Sequence, residues 1–139
     1  MIYDITDLRL RLERFDNVSF GQFAILGNLF RRERNKLEIE INPIISHLRP
    51  VWTIKESSVR SNISKIETGL MFKEVYLNVP SQSESKYNIT SIRLQRISDY
   101  ASTLGINYDV VSNSLNRVLG DEVYLPHPRV EPIFSTRKI

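Results

Sequence analysis

The chain predicts an α+β fold, mostly α, in which a helix at 54–67 is followed directly by a β-hairpin at 72–92. Three observations carry this. Thr53 to Glu56 fits the capping-box pattern T-x-x-E, and Thr68 with Gly69 supplies a stop. Leu70, Phe72, Val75, Tyr76, Leu77 and Val79 are β-formers in loose alternation, and Lys86 to Ile92 returns after a polar loop, Pro80 to Ser85. Apolar stripes at helical spacing flank this unit on both sides.

In chain order, Ile5, Leu8, Leu12 and Phe15 make the stripe of a helix over 4–15, with Asp4 or Thr6 as its cap. Asp16 and Asn17 break the pattern. A second helix over 19–34 turns Phe20, Phe23, Ala24 and Phe30 inward and ends in Arg31, Arg32 and Arg34. Cations in a last turn favour the helix dipole, so the plain reading of that cluster is a solvated C-terminus and the sharper one a phosphate contact. Leu37, Ile39 and Ile41 alternate with Lys36, Glu38 and Glu40, which predicts a short strand. Asn42 then caps a helix over 43–49 with Pro43 at its first position, ending at Arg49 and Pro50. Val59, Ile63 and Ile66 form the buried stripe of helix 54–67. After the hairpin, Leu94, Ile97, Tyr100, Ala101 and Leu104 predict a helix from Thr90 or Ser91 to Gly105, and Val111, Leu115, Val118 and Leu119 another from Asn107 or Asp109 to Gly120. The domain spans 1–125 (core 19–104, flanking helices 4–15 and 107–119), and the proline-bearing stretch 126–139 reads as a tail.

Composition narrows the function classes. With 139 residues and 41% hydrophobic content the chain suffices for one domain with a real core. The absence of cysteine removes disulfides, cysteine-ligated zinc and cysteine nucleophiles. His47 and His127 have no carboxylate at helical ligand spacing, so no metal or other cofactor is expected. The pairs Glu38/Glu40 and Asp121/Glu122 read as solvated edges, and no glycine-rich phosphate loop or nucleophile elbow is present, so the chain is not expected to be an enzyme. The longest apolar region, Val18 to Phe30, is interrupted by Gly21, Gln22, Gly27 and Asn28 and falls short of the roughly 20 residues a span needs. No signal peptide is visible at the start, and a cytoplasmic location is expected.

The outer face of helix 54–67 carries the functional signal. Opposite the apolar stripe stand Ser57, Ser61, Ser64 and Thr68, with Arg60 on one flank and Ser58 and Lys65 on the other. Surface helices favour Glu, Lys and Gln, so a hydroxyl face sacrifices propensity. Small hydroxyls permit close approach to a groove, and basic flanks attract phosphates. Arg60 suits bidentate reading of guanine, and the serines suit phosphates. Lys86 on the hairpin suits a further backbone contact.

The run SSVRSNISKIETGLMFKEV, with SQSESKYNITSIRLQRISDYAS after it, resembles the recognition helix, wing and following helix of winged helix-turn-helix regulators of the MarR/SarA type. Ile66, Gly69, Leu70 and Thr90 stand at matching places, and the likeness covers about residues 19–104. The resemblance implies a homodimer on double-stranded DNA, with helix 54–67 in the major groove, the hairpin on the flanking backbone, and helices 4–15 and 91–119 at the subunit interface. Transcriptional control is the implied output. A replication or partition protein of a plasmid or phage is the alternative within DNA binding. A winged-helix protein-interaction module, or a protein partner held by the C-terminal tail, is the alternative outside it. The net charge of +3 permits DNA binding without requiring it.

Overall fold

A computed structural model describes residues 5–78, 89–120 and 123–133, with side chains from 21 to 77 and throughout the two later stretches. Among the described residues there are six helices and no strand: α1 (Ile5–Leu37), α2 (Ile41–Trp52), α3 (Glu56–Thr68), α4 (Leu70–Asn78), α5 (Ile89–Thr103) and α6 (Tyr108–Leu119). The expected α+β winged fold is therefore corrected to an all-α one. Where a first wing strand was expected stands α4. Met71, Phe72, Val75 and Tyr76 are its buried residues, and their i, i+1, i+4, i+5 spacing is that of one helix face. The second expected strand is helical from Ile89 onward, while the loop Pro80 to Ser85 and Lys86 lie outside the described residues.

Two further expectations fail for local reasons. The break at Asp16 and Asn17 does not occur, since α1 runs through both as one helix of 33 residues. Interior Asp and Asn each cost only about 0.7 kcal/mol relative to Ala, and no proline stands there. The short strand over 36–41 is instead a helix end, a turn and a helix start. Leu37 closes α1, Glu38 turns left-handed at φ 56, and Ile41 opens α2. All three apolar residues still pack against the core from this corner. Nor does Pro50 end α2, which continues to Trp52. The missing N–H would have faced Ser46, which is solvent-exposed, while the buried Trp52 indole anchors the last turn.

Helix α3 lies at the centre, touching α1, α2, α4 and α5; α5 in turn packs on α2, α4 and α6, and α6 closes onto α1. The core is one cluster running from Phe23 and Phe30 of α1 through Ile63 and Ile66 to Tyr100, Leu115 and Leu119. Helix α1 crosses the α3/α4 junction at backbone distance. A Cβ on Gly27 would sit 2.5 Å from the Glu67 carbonyl oxygen, and one on Gly69 would strike the Phe23 carbonyl. Gly69 also has φ 90, so it both ends α3 and lets α1 in. Asn107 caps α6 as expected, accepting from the N–H groups of Asp109 and Val110.

Residues 123–133 form a strap along α5. Val123 and Leu125 are buried, the Tyr108 hydroxyl donates to the Leu125 carbonyl, Ser102 Oγ donates to the Val130 carbonyl at 2.8 Å, and the Ile133 N–H reaches Thr103 O at 2.9 Å. His47 bonds the Glu131 carbonyl at 2.6 Å, and His127 stacks on Tyr108. Among the described residues no helix is long and apolar enough to cross a membrane.

Candidate nucleic-acid interface

Helices α2 and α3 are joined by three residues, Thr53, Ile54 and Lys55. The expected capping box does not form here. Thr53 closes α2 in the left-handed region (φ 53, ψ 42) and its N–H returns to the Arg49 carbonyl at 2.8 Å, while its hydroxyl donates to Trp52 O at 2.7 Å. Lys55 takes the N-cap position of α3 without a side-chain cap bond. Using Thr53 to reverse the chain denies it to the helix that follows. The outcome is still a tight helix–turn–helix, which places α3 beside α2 with one long face outward.

That outward face holds the expected residues. Ser57, Ser61, Ser64 and Arg60 are exposed, and Ser58 and Lys65 are half-buried. Thr68, also exposed, turns its hydroxyl back to the Ser64 carbonyl at 2.9 Å. From Ser57 to Thr68 the face is about 16 Å long at the usual helical rise. Arg60 Nη2 donates to Asn42 Oδ1 at 3.0 Å and lies 3.6 Å from Glu56 of the preceding turn, while remaining half exposed. Both contacts lie at the solvent edge and exchange cheaply for another acceptor. On the Ser58 flank, Asn62 donates to the Ser58 carbonyl at 2.7 Å and accepts from Arg96 of α5 at 3.1 Å. Arg96 also lies 5.6 Å from the Trp52 ring centre. Burial, and then the neighbouring charge of Arg129, lower the Arg96 pKa. Lys86 lies outside the described residues. Two further exposed cations stand at the α2–α3 turn: Arg49, whose place near the turn already suits a backbone contact, and Lys55; their closeness to the α3 face follows from the three-residue connection.

The inner face of α3 explains the arginine cluster at the end of α1. Arg34 grips Glu67 with both Nε (2.6 Å) and Nη2 (2.9 Å), and the Tyr100 hydroxyl donates to the same carboxylate at 2.5 Å. Arg31 stands 3.7 Å from it. Arg34 is thus neither a solvated C-terminal cation nor a free phosphate ligand. Burial pushes the Glu67 carboxyl upward, but the hydrogen bonds from Arg34 and Tyr100 and the charges of Arg34 and Arg31 outweigh it and hold the carboxyl below its usual range. Burial, reinforced by the bond to Glu67, raises the Tyr100 phenol. This network fixes the rotation of α3 about its axis, and so fixes which residues face out.

No protein-family model, curated protein or solved structure matches the chain.

Proposed function

We propose that the protein binds duplex DNA through the outer face of α3, reading sequence as a homodimer. The observation that carries this reading is the exposed Ser57, Arg60, Ser61, Ser64 face on the second helix of a helix–turn–helix. The described structure offers no wing for the reading to rest on; it rests on α3 and the turn. A major groove about 12 Å wide admits one helix, and hydroxyls in place of long side chains let the helix backbone settle close to the phosphates. Arg60 is the base reader, the serines position the helix on the backbone, and Arg49, Lys55 and Lys65 supply the attraction. With the three phosphate-facing cations of each protomer engaged, log affinity should fall with log salt with a slope of roughly −2.7 per protomer. Control of transcription is the output that sequence-specific dimeric binding supports.

The test is selection from a pool of random duplexes at two salt concentrations, with Arg60→Ala as control. An enriched inverted repeat is expected, with Arg60→Ala weakening binding by about 5- to 150-fold and relaxing one base position. Salt-sensitive retention without a consensus would replace the regulatory output with a replication or partition role. No retention at low salt would overturn DNA binding. The net charge of only +3 then favours the second reading, a protein partner on the same face.

A further inference from the structure

We propose that Arg96 of α5 and Arg129 of the strap form a phosphate site on the Ser58 flank of α3, and that it takes a backbone phosphate of the duplex read by that helix. The source of the phosphate rests on the DNA reading; the site itself rests on how the two arginines are partnered.

Arg93 and Arg96 stand one turn apart on α5 and have opposite fates. Arg93 pairs with Glu74 of α4 at 3.1 Å. Arg96, half-buried, meets no carboxylate at ion-pair distance among the described residues. Its partners are neutral: the Asn62 side-chain oxygen at 3.1 Å and the Trp52 ring, 5.6 Å away. Asp99, one turn further along α5, is the acid placed to pair with it. That carboxylate is already engaged by the Trp52 indole, the Gln95 amide and Arg129. One carboxylate thus stands against two guanidiniums, and the corner keeps an uncompensated positive charge. Arg96 uses only Nη1, on Asn62, and Arg129 uses Nε and Nη2, on Asp99. Donors remain on both.

Burial and the charge of Arg129 both act against the Arg96 cation, and an anion between the two arginines relieves both. A phosphate suits the place, since its oxygens accept the planar guanidinium fork. The bond to Asn62 ties Arg96 to α3 on the side of Ser58, where Lys65 also stands. A major groove about 12 Å wide is close to the diameter of a helix, so phosphates run along both flanks of a helix lying in it.

Trp52 is the one tryptophan of the chain and lies against Arg96, so its emission reports the site without DNA. Pyrophosphate, titrated into the full chain at constant ionic strength, is expected to change that emission with a midpoint of about 1 mM. Arg96→Gln should abolish the change. Arg117→Gln, at an exposed cation of α6, should keep it. Glutamine at 96 retains a stem for the Trp52 ring and an amide for Asn62, so the melt should move little. No saturable change up to about 20 mM, or one that survives Arg96→Gln, would overturn the site whatever duplex binding shows. With duplex DNA the site adds one phosphate per protomer. The salt slope is then expected to deepen from roughly −2.7 to roughly −3.6, and Arg96→Gln to restore the shallower value, weaken binding by about 5- to 10-fold and leave the consensus unchanged. Equal slopes for the natural chain and Arg96→Gln would overturn the DNA backbone as the source and give the site to a free phosphate ester. A Trp52 response without any duplex binding would overturn the DNA reading and leave the site standing.

Discussion

Two carboxylates, Glu67 and Asp99, are buried among these helices, and they are satisfied in different ways. Glu67 is held by side chains alone, from α1 and α5, and Arg34 is itself mostly covered. Asp99 accepts from the Trp52 indole at 2.9 Å, the Gln95 amide at 3.1 Å, and both the backbone N–H and the guanidinium of Arg129 at 2.8 and 2.7 Å. Its arginine is 48% exposed. The first network ties α1, α3 and α5 to one another, whereas the second joins α2 to α5 through Trp52 and fastens the strap onto them. Burial of the acid is the same in both; what differs is how much of the satisfaction survives when the arginine is removed.

Arg34→Ala gives the largest expected effect. It leaves Glu67 buried with the Tyr100 hydroxyl and a distant Arg31, and breaking a buried pair from one side costs about 3–5 kcal/mol. Chemical denaturation would read this as a lowered midpoint with unchanged slope. A loss under 1 kcal/mol would mean the pair is worth no more than a surface bridge, and the contrast with Asp99 would vanish. The same pair sets an acid limit. Because the Glu67 carboxyl lies below its ordinary value of 4.5 in the folded state, its contribution is complete above about pH 4.5 and is lost as pH falls through the folded value. Glu67→Gln is expected to be less stable than the natural chain at pH 7 and to show a shallower loss between pH 5 and pH 3. An unchanged acid limb would place the acid sensitivity elsewhere.

Arg129→Ala is expected to cost less, about 1–2 kcal/mol, since Asp99 keeps three other donors, including the backbone N–H of residue 129. Its effect should be local. Hydrogen exchange at the Ile133 N–H, bonded to Thr103 O, should accelerate while amides in α3 stay protected. Global acceleration would show that the strap is part of the cooperative core, erasing the distinction between the two networks.

On the Asp99 side the local signals reach only the helices: apolar spacing, the Asn107 cap and the stops at Gly105 and Gly120 place one from Thr90 or Ser91 and the next to Leu119, while α5 starts earlier, at Ile89, inside the expected second strand. The contacts of Asp99 with Trp52 and Arg129 join segments 47 and 30 residues apart and leave no local mark. On the Glu67 side the signs were there but point two ways. Arg34 follows Phe30 by one turn, and Glu67 adjoins Ile66, so both charges lie on buried faces and each implies a partner. Read locally, the same arginines suit a helix C-terminus. The α4 segment misleads for a related reason. Its residues are β-formers, yet Met71, Phe72, Val75 and Tyr76 share a helix face, and burial against α1 and α5 overrides propensity. The outward face of α3 was legible because its inward stripe was. The shallow groove between Ile25 and Leu29 of α1 and Val118 of α6 was not, since it depends on which face of α1 the neighbouring helices leave uncovered.

The smallest expected effect concerns the turn that presents α3. Thr53 is β-branched and sits at φ 53, a conformation costing an L-residue about 1–2 kcal/mol. Thr53→Gly removes that cost but adds chain entropy to the unfolded state, worth about 0.5–1 kcal/mol, and gives up a bond to Trp52 O. Because Thr53 is exposed, water replaces that bond at little cost, and the balance is a gain of about 0.5–1 kcal/mol, seen as a rise of a few degrees in Tm. The opposite sign follows if Thr53 is the N-cap of α3, since losing a cap to Gly costs a few tenths of a kcal/mol. Glu56→Ala separates the two cases further. A capping box would lose its return bond, whereas the observed turn loses only the solvent-edge contact between Glu56 and Arg60. A turn stabilised by glycine holds α3 in the same orientation, so Thr53→Gly should keep whatever binds the Ser57–Ser64 face, while Arg60→Ala should lose it.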